Sequence, residues 1–110
     1  MRILFDSRKF ESVCLDVRKA RKEYGTQCCD LLLLRIQQLH AAPCLRDMRN
    51  MPGRCHELKG NLAGTLSIDL KHPLRLLFKP EPPPPLKEDG GLDWAQVEAV
   101  VICRVEDTHD

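Results

Sequence analysis

Five polar residues in the second half of the chain have side chains suited to moving protons and holding phosphate: His56, Lys59, Arg75, Asp107 and His109. Arginine and lysine can grip a phosphate and offset the charge that builds up in its transition state. A histidine of near-neutral pKa takes or gives a proton. Asp107 can orient an imidazole. Such a set suits attack on a phosphodiester and requires no metal, and no tight Asp/Glu/His cluster with metal-ligand spacing stands out in the sequence. Spacing sets conditions on this reading. His56 and Lys59 are three apart, so they lie on opposite faces of an ideal strand. Both serve one site only if the chain turns near Gly60, which glycine permits. Asp107 and His109 reach Arg75 only if the last strand pairs beside the strand of Arg75. A purely structural role is also open to each residue. His56 can be an edge hydrogen-bonder, Lys59 a solvated lysine, and Arg75 the cross-sheet ion-pair partner of Asp69 or Glu57. Asp107 and His109 lie in a tail that can fray.

The elements that must position these residues follow from periodicity. The stretch RILF before Asp6 is apolar and short, a strand or an anchor. Asp6 or Ser7 can cap a helix. Phe10, Val13, Cys14, Val17 and Tyr24 then fall on one face at 3–4 residue spacing, and Gly25 is a natural C-cap. A second helix runs from a Thr26 cap to Pro43, with Cys29, Leu32, Leu33, Ile36 and Leu39 as its stripe. Two such helices joined by a tight turn form an antiparallel hairpin, and neither can bury its stripe alone. Met51-Pro52-Gly53 signals a turn, and 54–58 reads as a short extended piece. Residues 65–70 and 74–79 alternate cleanly, which predicts strands, and His72-Pro73 marks the turn between them. Residues 80–93 carry four consecutive prolines and read as a stiff surface excursion of polyproline character, a spacer rather than a strand. Asp93 with Gln96 has the form of a capping box. Residues 97–105 are β-branched and predict an interior strand. The class is therefore α+β: an N-terminal antiparallel helical hairpin packed on a twisted, mostly antiparallel sheet.

Size and composition bound the rest. At 110 residues the chain fits one domain, expected to span 1–110. Hydrophobic residues at 43% and charged residues at 30% exclude a disordered or fibrous chain. No apolar run nears the ~18 residues of a membrane span, and no h-region of a signal peptide is visible, so the expected compartment is the cytoplasm. Net charge is +1, but residues 1–60 hold 12 basic and 7 acidic residues while 61–110 hold 5 and 9. A basic front half can meet phosphate even in a near-neutral chain. Of the six cysteines, Cys14, Cys28, Cys29, Cys44, Cys55 and Cys103, none sits in a C-x-x-C pair. They read as reduced, mostly buried thiols.

The segment from Met51 to Gly64 resembles the L-P-G-x-x-x-H-x-L-K-G-x-x-x-G region of HigB-type toxins. The likeness continues through residues 66–70 and 74–78, where the family has a strand, a turn and x-x-R-[IL]-x-F, and Val105-Glu106-Asp107-Thr108-His109 is similar to its closing V-x-D-Y-H. The resemblance implies a RelE/ParE-like fold. It implies the toxin of a type II toxin–antitoxin pair that cuts mRNA in the ribosomal A site by attack of the ribose 2′-OH, with no cofactor or metal. The implied partners are a helix-turn-helix, HigA-like antitoxin in a hetero-oligomer, the ribosome and mRNA. By position, His56 and His109 are the proton-transfer candidates, Lys59 stabilises the phosphate, Arg75 clamps it, and Asp107 completes the site. Arg49, Arg54 and Lys71 are the candidate RNA-binding cations.

Three departures stand out. Thr108 replaces the family tyrosine, whose ring would stack on a base for ~1–3 kcal/mol, the net charge of +1 is low for a ribosome binder, and the proline-rich loop lengthens a short connection. Two other readings therefore stand beside the nuclease: a ParE-like toxin that poisons gyrase by protein binding, and a non-catalytic module that only binds an antitoxin-like partner.

Overall fold

The computed structural model describes residues 1–108. Strand β1 (Arg2–Phe5) is followed by helices α1 (Arg8–Cys14), α2 (Val17–Tyr24) and α3 (Thr26–Ala41), then by strands β2 (His56–Glu57), β3 (Leu66–Asp69), β4 (Leu74–Pro80) and β5 (Ala99–Asp107). Single 3₁₀ turns lie at Leu45–Met48, Gly60–Leu62 and Trp94–Gln96. The five strands form one sheet in the order β1-β5-β4-β3-β2. β1 runs parallel to β5, and every other pairing is antiparallel. The architecture is α+β, as the periodicity predicts.

The expected first helix is two helices. Asp16 adopts an extended backbone and its Oδ1 accepts from the amides of Arg18 (3.0 Å) and Lys19 (3.4 Å). A side chain that satisfies orphan amides starts a new helix, so the chain bends at Leu15 and Asp16. The stripe counted through this point breaks with it. Phe10 and Cys14 are buried, but Val17 is exposed. The second helix also starts differently. Gly25 caps both α2 at its end and α3 at its start, and Thr26 is already helical. Leu32 and Leu39 are fully buried, as expected, but Cys28 and Arg35 are buried with them. The amino group of Met1 donates to the carbonyls of Leu39, His40 and Ala42, satisfying acceptors left open at the end of α3.

The core lies between the helices and one sheet face. Leu66, Ile68, Leu76, Phe78, Val100 and Ile102 meet Phe10, Leu32 and Leu39 there. Each such side chain contributes roughly 1.5–3 kcal/mol by leaving water. Alternation sends Ser67, Asp69, Arg75 and Leu77 to the opposite face. There is a shift of register on β5: Leu77 faces Arg104 while Phe78 faces Ile102. The extra residue, Cys103, resets the alternation, so Val105 returns to the core while Arg104 and Glu106 face outward. The final strand thus runs two residues further than the apolar run predicts.

The proline-rich segment is not a simple spacer. Pro80 ends β4 inside the sheet, opposite Val100. Beyond it the chain doubles back on itself: Leu86 bridges Leu92, and the Lys87 amide donates to the Gly91 carbonyl at 2.7 Å. The turn at Trp94 forms with its backbone bond from Gln96 to Asp93, but without the side-chain capping box. Among the described residues, no helix is long and apolar enough to cross a membrane.

Candidate functional site

The outward sheet face gathers most of the polar candidates. In register across it, His56 on β2 faces Ser67 on β3, Asp69 on β3 faces Arg75 on β4, and Arg75 faces Glu106 on β5. Asp69 is the hub. Its Oδ2 accepts from Arg54 Nε at 2.7 Å, and its Oδ1 lies 3.2 Å from Arg75 Nε. Its carbonyl accepts from Arg35 Nε at 2.9 Å, and its amide donates to the Gly53 carbonyl at 2.7 Å. Three arginines from three parts of the chain therefore converge on one residue.

Local sequence explains the convergence. Gly53 and Arg54 both have positive φ, 109° and 52°, so the chain reverses sharply before β2. For Arg54 this conformation costs about 1–2 kcal/mol, and the reversal aims its guanidinium at Asp69. Arg75 is held more deeply. Its side chain is 11% exposed, against 68% for Arg54. Arg75 also donates through NH1 to the Thr108 hydroxyl at 3.2 Å.

Burial would push the Asp69 carboxyl up, but the hydrogen bond and charge of Arg54, with the charges of Arg75 and His56, outweigh it and hold the group below the usual carboxylate range. The same interactions raise Arg54. His56 Nδ1 lies 2.7 Å from the Arg54 carbonyl. A carbonyl only accepts, so Nδ1 carries the hydrogen and Nε2 is the atom left to take or give a proton.

The other candidates fall differently. The chain does turn at Gly60, whose φ is 66°, and Lys59 sits exposed just before the 3₁₀ turn there. Asp107 pairs with Leu74, so alternation sets it on the face away from Arg75, and Thr108 takes the place beside the guanidinium. His109 lies outside the described residues. Arg49 is not on this face: its guanidinium stacks 4.5 Å over the Trp94 ring, while Trp94 Nε1 donates to Glu57. Lys71 donates to Gln27 beside the start of α3. Among the described residues, no three His, Cys, Asp or Glu side chains converge as metal ligands.

Asp69, Thr108 and Arg35 are the residues that sequence reasoning did not single out for the site. Asp69 was foreseeable as an ion-pair partner of Arg75, from its place on the polar side of the alternating Leu66-to-Leu70 run. Arg35 carries no such signal, because an arginine on a helix reads as solvated.

No family model matches this chain, and no curated protein matches it by sequence. Solved structures do match in fold. A YoeB/ParE toxin from Agrobacterium tumefaciens superposes with a TM-score of 0.58 at 11% identity, over 99% of this chain and 100% of that one. A YoeB–YefM complex from Staphylococcus aureus gives 0.57 at 15% identity, and a YoeB dimer from the same organism gives 0.56 at 16%. Both alignments cover 99% of this chain and 98% of the other. A helical layer on one face of a five-stranded mixed sheet, over nearly the full length of both chains, gives this protein the fold of the YoeB/ParE toxins.

Proposed function

We propose that residues 1–110 form a single toxin domain of a type II toxin–antitoxin pair, of HigB type, that acts in the cytoplasm by cutting mRNA in the ribosomal A site. The observation that carries the reading is the outward cluster of His56, Arg54, Arg75 and Thr108 around Asp69. In the proposed reaction the ribose 2′-OH attacks the adjacent phosphorus. The 2′-OH gives up its proton to a base, the new P–O bond closes a 2′,3′-cyclic phosphate, the P–O5′ bond breaks, and the leaving 5′-oxygen takes up a proton from an acid. His56 Nε2 takes or gives one of those protons. Arg75 and Arg54 offset charge on the phosphoryl oxygens, and Lys59 adds to that field. His109 completes the site as the second proton-transfer group. No cofactor or metal has a role in this scheme.

The proposed partner is a helix-turn-helix antitoxin of HigA type, in a hetero-oligomer. A toxin–antitoxin partnership is supported by the likeness in fold to the toxin of a YoeB–YefM complex. The ribosome and mRNA are the proposed targets.

A second reading has its own support. Asp69 pairs with both arginines and offsets half of their charge, Arg49 and Lys71 make bonds within the chain, and Thr108 offers no ring for stacking. These favour a ParE-like toxin that acts by binding a protein such as gyrase, or a binding module without catalysis. Cleavage of mRNA on a stalled ribosome with an empty A site separates the readings. The nuclease cuts in EDTA, and Lys59→Ala and His109→Gln each lose about 100-fold or more. A folded wild type that leaves the mRNA intact sinks the nuclease reading.

A further inference from the structure

We infer that Asp69 is the positioning residue of the Arg54–Arg75 pair, holding the two guanidiniums together as an oxyanion site in which an incoming phosphate displaces its carboxylate from Arg54. The inference deepens the RNA-cutting reading and rests on it for identifying that phosphate as an RNA phosphodiester.

Three observations converge on this assignment. The first is the bridge itself. One carboxylate touches both guanidiniums, at 2.7 Å to Arg54 Nε and 3.2 Å to Arg75 Nε, so it stands where a single tetrahedral anion would hold the same pair. The second is that Asp69 is anchored through its backbone rather than its carboxylate. Arg35 and Gly53 grip its carbonyl and amide from α3 and from the loop before β2. The carboxylate can therefore change partners without moving the strand. The third is the asymmetry of the two arginines. Arg75 is nearly buried and tied to Thr108, so it stays in place, whereas Arg54 is two-thirds exposed and can swing to a new anion.

The groups facing the carboxylate are Arg54 from the loop before β2, His56 from β2 and Arg75 from β4. Glu106 on β5 faces Arg75 in register, and Arg35 on α3 meets only the carbonyl. Asp69 and Glu106 are thus the carboxylates set beside Arg75 by the register of β3 and β5, and Asp69 is the one in contact with both guanidiniums.

Sulfate binding to the full chain at near-neutral pH tests the assignment by calorimetry. With the local anion gone, Asp69→Asn binds sulfate about tenfold tighter than wild type. Arg54→Met weakens wild-type binding severalfold, because the guanidinium that the anion recruits is gone, and it abolishes the gain in the double variant. An Asp69→Asn protein that binds sulfate no tighter, or whose gain survives the loss of Arg54, overturns the inference. A second measurement needs no change at Asp69. The ¹³C titration of its carboxyl in the wild type moves to higher pH under saturating sulfate, as Arg54 leaves for the added anion. A titration that sulfate leaves unmoved overturns the inference as well. None of these readouts depends on mRNA cleavage. The sulfate results with intact mRNA keep the anion site and remove the nuclease, while cleavage without them does the reverse.

Discussion

Gly53→Ala is expected to destabilise the protein by about 3 kcal/mol, summed from two physical costs. At φ 109° an L-residue is strained, and a position held in such a region costs of order 1–3 kcal/mol. The added methyl also has no room. A Cβ built there lies 2.9 Å from Ile68 Cγ1 and 3.0 Å from both Cζ and Nε of Arg35. Ile68 is a fully buried core residue. Arg35 is pinned by its bonds to the Asp69 carbonyl and to Gln38 Oε1. Neither neighbour yields cheaply, and overpacking of this kind costs typically 1–3 kcal/mol. Urea unfolding followed by far-ultraviolet circular dichroism measures the sum, with the m-value unchanged. The same loss lowers Tm by roughly 10–15 °C in a domain of this size. A loss under about 1 kcal/mol refutes both the strain and the contact argument. The variant also bears on the site, because the Gly53 carbonyl takes the Asp69 amide. The Asp69 amide resonance therefore shifts even where the fold survives.

Three further outcomes are expected. Asp69 titrates below the usual carboxylate range, so its contribution is present above the unfolded pKa of ~3.9 and is lost as pH falls through the lower folded value. Urea midpoints of the wild type and Asp69→Asn should converge as the solution is acidified through that window, and a constant gap contradicts the ion-pair assignment. Burial pushes the Cys14 and Cys55 thiols up to about 12, so iodoacetamide at mildly alkaline pH should label both far more slowly in the folded protein than in urea. Peptide mass spectrometry reads the rates, and fast native labelling of either counts against its burial. Asp16→Ala removes the N-cap of α2 and should cost about 1 kcal/mol in urea unfolding, whereas no loss means the break at Leu15 is set by packing instead.

What could be read from the residues alone follows from how local each feature is. The two alternating runs around His72-Pro73 predict β3 and β4, because period-two patterning reports one buried face directly. The pairing of Arg75 with Asp69 follows from the same hairpin, since both sit on its polar side. The break in the first helix has a local signal, Asp16 before a strongly polar helix, but Val17 continues the 3–4 spacing of Phe10, Val13 and Cys14 and masks the cap. Other features depend on distant partners. Nothing in the sequence near Cys103 announces a bulge, yet that one residue decides which of Asp107 and Thr108 stands beside Arg75. The buried Arg35 likewise depends on Gly53 and Asp69, which lie far away in sequence. The proline run correctly excluded a strand over residues 82–85, but not the bridge from Leu86 to Leu92 that closes the excursion.

The place of β5 has a consequence for the order of assembly. It follows the other four strands in the chain, yet it lies between β1 and β4. The first strand pairs with it across nearly the whole sequence, Arg2 opposite Ala99, and has no other strand neighbour among the described residues. During synthesis, β2 to β4 can meander together while β1 waits on the ribosome for a partner. Such long-range closure slows folding, because chain entropy is spent before the contacts repay it. Thr108 arrives at the end of the same strand, so Arg75 gains its second ligand only when the sheet closes. The pairing of Arg54 and Arg75 with Asp69 thus needs only β2 to β4, whereas the Thr108 bond that completes the outward cluster waits for β5.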